Sequence, residues 1–491
     1  MARLTREPVG VRGLALRAVL FKGSRDLLPI YALYGVLFAD HGLTTAQISL
    51  LLALWSVTAF LLEVPSGAWA DTVSRRALLV LASVLQAAGF ATWMLAPSLL
   101  GFALGFILWG ISGALESGTF EALIYDDLVA RAEPSAYARI MGWARGAQET
   151  TVLVAIVAAA PLYALGGFAL VGWVSVAIGG LHTLAALALP SAPVAISAAA
   201  IDELDDEPDT IGPHAPPGWT KTTVAEELQD ASPASAYSPA SAETASAPSA
   251  EPAPHRDPAD GVRPAPPPSG PPSPDGVSSR YVAMLRAGIA EALHVRRVRR
   301  GVLLGALLYG VTAFDEYFGL LAVSGGATTA TSALLVGVTA TGSLAGSLLA
   351  GRTETVPAKA LAAALFVAGL LFIAGALAVG AASPLLLWAG FIGIAIAYGI
   401  DFNAEVVAGA RLQDAIDGPA RATVTSVSGL LAEVVALAVF GFVAAATLWL
   451  SMSTTIALLG AVLLLAGALT PSWLPARTAP DEPSPASDHH L

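Results

Sequence analysis

The sequence contains no cysteine and unusually little charge. Of its 491 residues, 13% are Asp, Glu, Lys or Arg, against roughly 25% in an average soluble domain. The absence of cysteine excludes disulfides and thiol chemistry. The sequence also has no G-x-x-x-x-G-K phosphate loop and no histidine cluster with metal-ligand spacing. We therefore expect neither a cofactor nor a metal, and no nucleotide-driven activity.

Long apolar runs dominate the rest of the sequence. Hydrophobic residues make up 55% of the chain, and the mean hydropathy is +0.68. A run of about 20 apolar residues is long enough to cross a bilayer as a helix. These runs lack the alternation of barrel strands. The sequence predicts an all-α membrane protein with twelve transmembrane helices, at about 15–39, 46–70, 77–96, 99–125, 139–163, 167–189, 301–323, 331–350, 359–380, 384–408, 423–447 and 449–470.

Basic residues fall on one side of this arrangement. Apart from Lys22, Arg25 and Arg145, which lie within spans, every Lys and Arg lies before or at the start of span 1 or after an even-numbered span. The loops on the other side, around residues 40, 97, 166, 325, 383 and 451, contain none. Positively charged loops stay in the cytoplasm. We therefore expect a multi-pass protein of the cell (plasma) membrane with both termini cytoplasmic.

The segment between spans 6 and 7 differs in composition from the rest. Residues 191–279 are rich in Pro, Ala, Ser and acid, with 14 acidic and 3 basic residues, and such a composition predicts disorder. Residues 280–300 have the pattern of a basic amphipathic helix lying on the inner leaflet. The predicted domains are thus an N-terminal six-helix bundle (1–190), the linker, this interfacial helix, a C-terminal six-helix bundle (301–470) and a disordered cytoplasmic tail (471–491).

The two bundles also resemble each other. Glu121 and Glu149 are 28 residues apart, and so are Glu405 and Glu433, 284 positions further along the chain. A pair of glutamates is little information, but the division into six and six spans favours a duplication. Two pseudo-symmetric six-helix bundles around a midplane site are a known transporter plan.

Ionisable residues within spans are costly, and so are the best indication of mechanism. The spans hold three bases and ten acids, too many for all acids to be paired. For a proton-coupling site or substrate cavity we select the residues Arg25, Asp26, Arg145, Glu149, Asp315, Glu316, Asp401 and Glu433. Of the neighbours Asp315 and Glu316, we expect at most one to face the cavity.

A structural interpretation of these charges stays open. Lys22 and Asp26 are four residues apart, as are Arg145 and Glu149, a spacing that allows ion pairs along one helix. The excess of carboxylates instead favours residues that bind protons or a cationic substrate.

A short charged turn between spans 2 and 3 carries the most specific motif. The stretch from Gly67 to Arg76 reads G-A-W-A-D-T-V-S-R-R. It resembles the pattern G-x-x-A-D-x-x-G-R-R/K of the major facilitator superfamily, with Ser74 in place of the second glycine. The resemblance implies the fold of that superfamily and a cytoplasmic gate. The gate residues would be Gly67, Asp71, Arg75, Arg76, Glu63 and, as the partner of Arg75, Asp126. The alternative is a solvated turn that only sets topology.

Among members of the superfamily, the chain most resembles bacterial drug and metabolite efflux proteins. We expect proton-coupled export of small organic, cationic or amphipathic compounds by alternating access. Two antiporter signatures are degraded, since R-x-x-Q-G is matched only by the arginine-free stretch from Trp109 to Gly113 and G-P-x-x-G-G only in part. An uptake symporter therefore remains an alternative, as does, less favoured, a membrane sensor or enzyme. The expected partners are substrate, protons and the lipid bilayer, with no nucleic acid, and the chain is expected to be a monomer.

Overall fold

The computed structural model describes residues 9–191, 294–381, 383–416 and 421–476. In this part the regular structure is entirely helical. Of the predicted segments, linker residues 192–279, residues 280–293 of the interfacial helix and tail residues 477–491 lie outside the described residues.

The first bundle contains seven α-helices. They are α1 (Val9–Arg25), α2 (Tyr34–Asp40), α3 (Thr45–Thr72), α4 (Arg75–Leu95), α5 (Leu99–Glu116), α6 (Thr119–Ala130) and α7 (Tyr137–Leu187). Short 3-10 turns at Pro29–Ala32 and Pro134–Ala136 precede α2 and α7. α7 holds two crossings, because non-helical backbone at Gly166 and Gly167 turns the chain back, with a φ of 60° at Gly167.

The second bundle repeats this plan. Its helices are α8 (Arg296–Val311), α9 (Phe318–Ser324), α10 (Thr329–Thr353), α11 (Ala358–Val379), α12 (Pro384–Ala415), α13 (Arg421–Ala446) and α14 (Met452–Trp473). A 3-10 turn, Thr312–Tyr317, joins α8 to α9. Arg296 to Arg300, which we assigned to the interfacial helix, form the start of α8 and so continue directly into span 7.

The twelve predicted crossings are all accounted for in the described residues. Ten helical segments are long and apolar enough to cross a membrane, and the segment Pro134–Leu187 contains two crossings. The first crossing is divided between α1 and α2, and each part is too short to cross alone. Several helices extend beyond the predicted ends, as α12 does by seven residues at its C-terminus.

Hydroxyl side chains start many of the helices on one side of the molecule. Thr44 forms a capping box with Gln47, and Ser98, Thr328 and Ser451 each accept a hydrogen bond from a backbone N–H of the first turn. Such caps satisfy amide groups that have no partner within the helix. We call this side, where the loops lack Lys and Arg, the opposite end, and the side of Arg75, Arg131, Arg352 and Arg411 the basic end.

The hydrophobic core is shared at the opposite end and divided at the basic end. One cluster of buried residues there joins both bundles, with Leu37 and Phe38 of α2 in the same core as Phe318 and Leu321 of α9. Near the basic end, each bundle has separate clusters, one around Phe21 and Phe120 and others in the second bundle. The two bundles therefore pack together at the opposite end.

Small residues allow α10 and α12 to pack closely within the second bundle. A Cβ atom at Gly346 would collide with the backbone of Gly399, and one at Gly342 with the backbone of Ala395. Small residues drive helix association in membranes, because backbones can then approach and gain van der Waals contact. This contact fixes the position of the polar residues at the basic half of α12.

Candidate functional site

A cavity in the half of the first bundle nearer the basic end is lined by charged residues of α1, α6 and α7. Its volume is about 550 Å³, and its lining includes Lys22, Glu121, Arg145, Gln148 and Glu149. The Arg145 and Glu149 side chains are 83% and 53% exposed, and their charged atoms are 3.9 Å apart. A pair this exposed contributes little stability. Both groups are thus accessible from the cavity.

Glu116 lies beside this cavity and binds both basic residues of α1. Its carboxylate accepts a hydrogen bond from Lys22 Nζ at 2.8 Å and one from Arg25 Nε at 2.5 Å. The Glu116 side chain is only 4% exposed. Lys22 is also 3.6 Å from Glu121. Lys22 therefore does not pair with Asp26, the alternative that their spacing left open, because α1 ends at Arg25 and Asp26 no longer shares its face.

An interruption of the helix after Glu116 explains why its carboxylate reaches α1. α5 ends at Glu116, and Gly118 has a φ of 70° before α6 starts. This left-handed conformation favours glycine, because a Cβ atom is strained there. The predicted uninterrupted span 99–125 is thus two helices, and the carboxylate at the end of the first one reaches α1.

Asp26 is held by neutral donors and by its neighbouring arginine. Its carboxylate accepts hydrogen bonds from Gln148 Nε2 at 2.5 Å, from Tyr31 Oη at 3.1 Å and from Arg25 at 3.3 Å. Gln148 also lines the cavity. Asp26 itself is buried, in the non-helical stretch between α1 and Pro29. One amide side chain therefore connects the cavity to a buried carboxylate.

Aromatic rings extend from Asp26 into the first bundle. Tyr31 stacks on Trp109 with ring centroids 5.3 Å apart, and Trp109 contacts Trp55 at 5.0 Å. Both tryptophans are half-buried. Trp93 is fully buried instead, and its N–H donates to the Phe102 carbonyl at 3.1 Å. The Tyr31, Trp55 and Trp109 rings, here called the aromatic wall, offer π-faces of the kind that bind cations.

The second bundle places its acids in different surroundings. Asp315 accepts a hydrogen bond from Tyr398 Oη at 2.5 Å. Asp315 and Glu316 both border a small enclosed space of about 20 Å³ between the two bundles. Glu433 accepts a hydrogen bond from Ser56 of the first bundle. The structure does not bring Asp401 to the cavity, since it is completely buried and neither of its carboxyl oxygens has a hydrogen-bond partner among the described residues.

The predicted gate residues meet mainly within the first bundle. Arg75 forms an ion pair with Asp126, and both side chains are nearly buried, at 12% and 9% exposed. Arg76 donates to the Ser191 hydroxyl at 3.0 Å and to the Leu187 carbonyl. Glu63 accepts a hydrogen bond from Ser117 at 3.0 Å. Gly67 and Asp71 belong to α3, but their contacts lie outside what the structure describes.

Ser74 and Asp127 make further hydrogen bonds at the basic end of the first bundle. Ser74, which replaces the second glycine of the motif, caps α4 by accepting from the Ala77 N–H. Asp127 accepts two hydrogen bonds from Arg131, at 2.5 and 3.1 Å, and these bonds raise the pKa of the Arg131 guanidinium. The turn is therefore an ordered part of the first bundle.

An arginine of α12 contacts the turn of the second bundle that corresponds to the charged turn of the first. Arg411 lies 285 positions after Asp126 and donates to the backbone carbonyls of Glu354 and Val356, at 3.0 and 2.5 Å. Arg411 thus holds the turn between α10 and α11 through backbone contacts, whereas Asp126 holds the equivalent first-bundle turn through an ion pair.

Sequence reasoning did not select Glu116, Tyr31, Tyr398 or Ser56. Glu116 was recognised as an ionisable residue in a span, but its two partners lie more than 90 residues away in sequence. Tyrosines next to acids within spans are a detectable signal for such contacts, because a buried hydroxyl needs a hydrogen-bond partner.

Comparisons with known proteins agree with this architecture. The family model of the Major Facilitator Superfamily matches residues 18–404. The chain belongs to the major facilitator superfamily. It is thus a multi-pass membrane transporter by family, and its two bundles have the arrangement that the charged turn predicted.

Solved structures of this superfamily share the fold at low sequence identity. The chain matches the nucleoside transporter NupG at 12% identity and a TM-score of 0.55, covering 94% of this chain and 96% of that one. It matches a bacterial homologue of the human lysosomal transporter Spinster at 14% identity and a TM-score of 0.58, covering 95% of this chain and 97% of that one. A D-xylose–proton symporter matches at 14% identity and a TM-score of 0.57, covering 95% of this chain and 98% of that one. No curated protein sequence matches.

Proposed function

We propose that this transporter exports small organic cations or amphipathic compounds from the cytoplasm in exchange for protons, by alternating access. The observation that carries the proposal is the position of Asp26, which lies between the cavity residue Gln148 and the aromatic wall. A carboxylate beside π-faces suits a cation with an apolar body. The same carboxylate can take up a proton when the cation leaves.

The charge distribution gives this cavity a direction. If the loops with Lys and Arg face the cytoplasm, both termini are cytoplasmic and the cavity opens to the cytoplasm. The shared core at the opposite end then closes the path to the outside. The arrangement corresponds to an inward-open state of a monomer in the plasma membrane, ready to take up cargo from the cytoplasm.

Opening to the outside requires the contacts at the opposite end to separate. Two hydrogen bonds between the bundles would break: Ser49 with Tyr317, 2.7 Å apart, and Ser56 with Glu433. The carboxylate of Glu433 is therefore part of a contact that holds the two bundles together. We assign Glu433 and Asp26 as the coupling residues, and Arg145 and Glu149 as the charged lining of the cavity. Arg25, which is bound to Glu116, and Asp315 and Glu316, which border the space between the bundles, lie outside this lining.

The gate at the basic end has the opposite task. In the outward-open state the basic end must close, and we assign this closure to the turn with Gly67, Asp71, Arg75 and Arg76. The Arg75–Asp126 ion pair keeps this turn in one position on the first bundle. Glu63, bound to Ser117, connects it to the break between α5 and α6.

A proton-coupled uptake symporter is the second candidate. It is favoured by the absence of arginine from the antiporter signature position near Trp109. Both candidates use the same carboxylates and differ only in the relative direction of cargo and proton.

Everted membrane vesicles with an imposed pH gradient distinguish the candidates. Addition of cationic test compounds is expected to cause proton release from acid-loaded vesicles that contain the transporter. Asp26→Asn and Glu433→Gln are each expected to abolish this release. Asp414→Asn, which neutralises an exposed acid at the basic end, serves as the matched control and should transport normally. Normal coupling in both Asp26→Asn and Glu433→Gln would rule out the proposed proton sites, and co-movement of cargo and protons would favour the symporter.

A further inference from the structure

Arginines border a second cavity, at the basic end of the second bundle. It has a volume of about 380 Å³ and lies between the first turns of α8 and the C-terminal end of α14. Its lining includes Arg296, Arg297, Arg300, Trp473 and Pro475. None of these residues lines the proposed transport cavity. We call it the arginine pocket.

The packing of α8 fixes the position of the arginine pocket. Val298 is fully buried in a cluster with Leu412 and Ile416, which directs one face of α8 into the bundle. Arg296 is exposed and Arg300 half-buried, and their spacing of four residues places them on one side of the helix. The Arg300 guanidinium donates to the Ser472 carbonyl at 3.0 Å, which joins this side of α8 to the end of α14.

The lining combines charge with an apolar wall. Trp473 is half-buried and Leu474 and Pro475 are buried, so that apolar groups and guanidinium groups face the same space. Tryptophan is enriched at the level of lipid headgroups. Guanidinium groups match phosphate in charge and in hydrogen-bond geometry. A ligand that fits both parts is anionic at one end and apolar at the other.

We propose that the arginine pocket binds the headgroup of an anionic phospholipid of the leaflet at the basic end. The phosphodiester lies between Arg296 and Arg300, and the glycerol backbone contacts Trp473. The acyl chains then continue along the apolar surface of α14 within the bilayer. Basic pockets between transmembrane helices bind anionic headgroups in this way. A free phosphate ion would use the arginines but would leave the apolar wall without a partner.

Native mass spectrometry of the full-length protein in detergent tests this site. Phosphatidylglycerol and phosphatidylcholine with identical acyl chains are titrated in parallel, and inorganic phosphate is added as a competitor. Phosphatidylglycerol is expected to bind more tightly than phosphatidylcholine. Arg296→Gln is expected to weaken phosphatidylglycerol binding about fivefold, the effect of one arginine near a charged membrane surface. Arg296→Lys, which keeps the charge, should retain most of the affinity.

A matched control separates this pocket from general surface charge. Arg352→Gln removes an exposed arginine from the same end of the molecule, outside the arginine pocket, and should leave binding unchanged. If Arg300→Gln fails to fold without its Ser472 contact, Arg296→Gln still carries the test. Equal affinity for the two lipids, or equal loss in Arg352→Gln and Arg296→Gln, would overturn the proposal. Displacement of the lipid by inorganic phosphate at equal concentration would identify a free-anion site instead.

Discussion

Asp26 and Asp315 each lie where the first crossing of their bundle is interrupted, and each accepts a hydrogen bond from a tyrosine hydroxyl. Tyr31 donates to Asp26 at 3.1 Å, and Tyr398 donates to Asp315 at 2.5 Å. The two sites differ in charge, because Asp26 also contacts Arg25. Discontinuous helices at the midplane are where transporters of this plan bind substrates and ions. Each bundle thus places a carboxylate at the interruption of its first crossing.

The hydroxyl of Tyr398 should contribute measurably to stability. Tyr398→Phe removes the donor to Asp315, and a hydrogen bond to a charged group contributes about 1.5–3 kcal/mol. Tyr34 is the matched control, since its buried hydroxyl has no hydrogen-bond partner among the described residues. Tyr34→Phe should therefore leave the free energy of unfolding unchanged or raise it slightly. Denaturant unfolding in detergent measures both variants, and equal effects would contradict the assigned contact.

The ion cluster around Glu116 predicts a larger effect. Glu116→Gln leaves Lys22 and Arg25 without their main carboxylate, and breaking a buried ion pair costs about 3–5 kcal/mol. Glu149→Gln breaks only the exposed pair with Arg145, which is worth at most about 1 kcal/mol. Thermal unfolding of the two variants is expected to separate them clearly. Equal melting temperatures would show that the contacts of Glu116 with Lys22 and Arg25 do not stabilise this bundle.

Hydropathy was enough to predict the number of crossings. This number depends on local composition, since a run of about 20 apolar residues has few alternatives in a membrane. The alternative ion pair between Lys22 and Asp26 does not form, and the reason is of a different kind. The spacing to Asp26 indicates an ion pair only if the helix continues, and α1 ends at Arg25. Where a helix stops inside the apolar layer depends on contacts from other helices.

The contacts between residues of the candidate site could not be predicted from local sequence patterns either. Ser56 and Glu433 are 377 residues apart, and only the packing of the two bundles brings them together. The Arg75–Asp126 contact could be expected because the motif from Gly67 to Arg76 resembles a family pattern, and that resemblance implies a contact with a distant residue. Asp401 shows the limit of reasoning from charge alone, since its depth in the span did not reveal that it faces the interior of its own bundle.

The Arg75–Asp126 ion pair should tolerate exchange of its charges better than loss of one. Arg75→Gln leaves the nearly buried Asp126 carboxylate without its ion pair and is expected to cost about 3 kcal/mol of unfolding free energy. Asp126→Asn removes the same ion pair and should also destabilise the protein. The double variant Arg75→Asp with Asp126→Arg should recover at least half of that loss. Arg131→Gln, which breaks a more exposed pair with Asp127, should cost about 0.3–0.5 kcal/mol. A double variant no more stable than the singles would mean that the two residues act independently.

Asp401 should prove dispensable for coupling, in contrast to Asp26. Its carboxyl group is fully buried without a hydrogen-bond partner in the described part of the chain, and an unpaired buried charge is expensive. Asp401→Asn keeps the shape of the side chain and removes the charge. It should leave unfolding free energy equal or higher and leave cation-stimulated proton release in everted vesicles intact. Loss of proton release in Asp401→Asn at normal expression and stability would place Asp401 on the proton path, and would mean that the packed interior of the second bundle opens during transport.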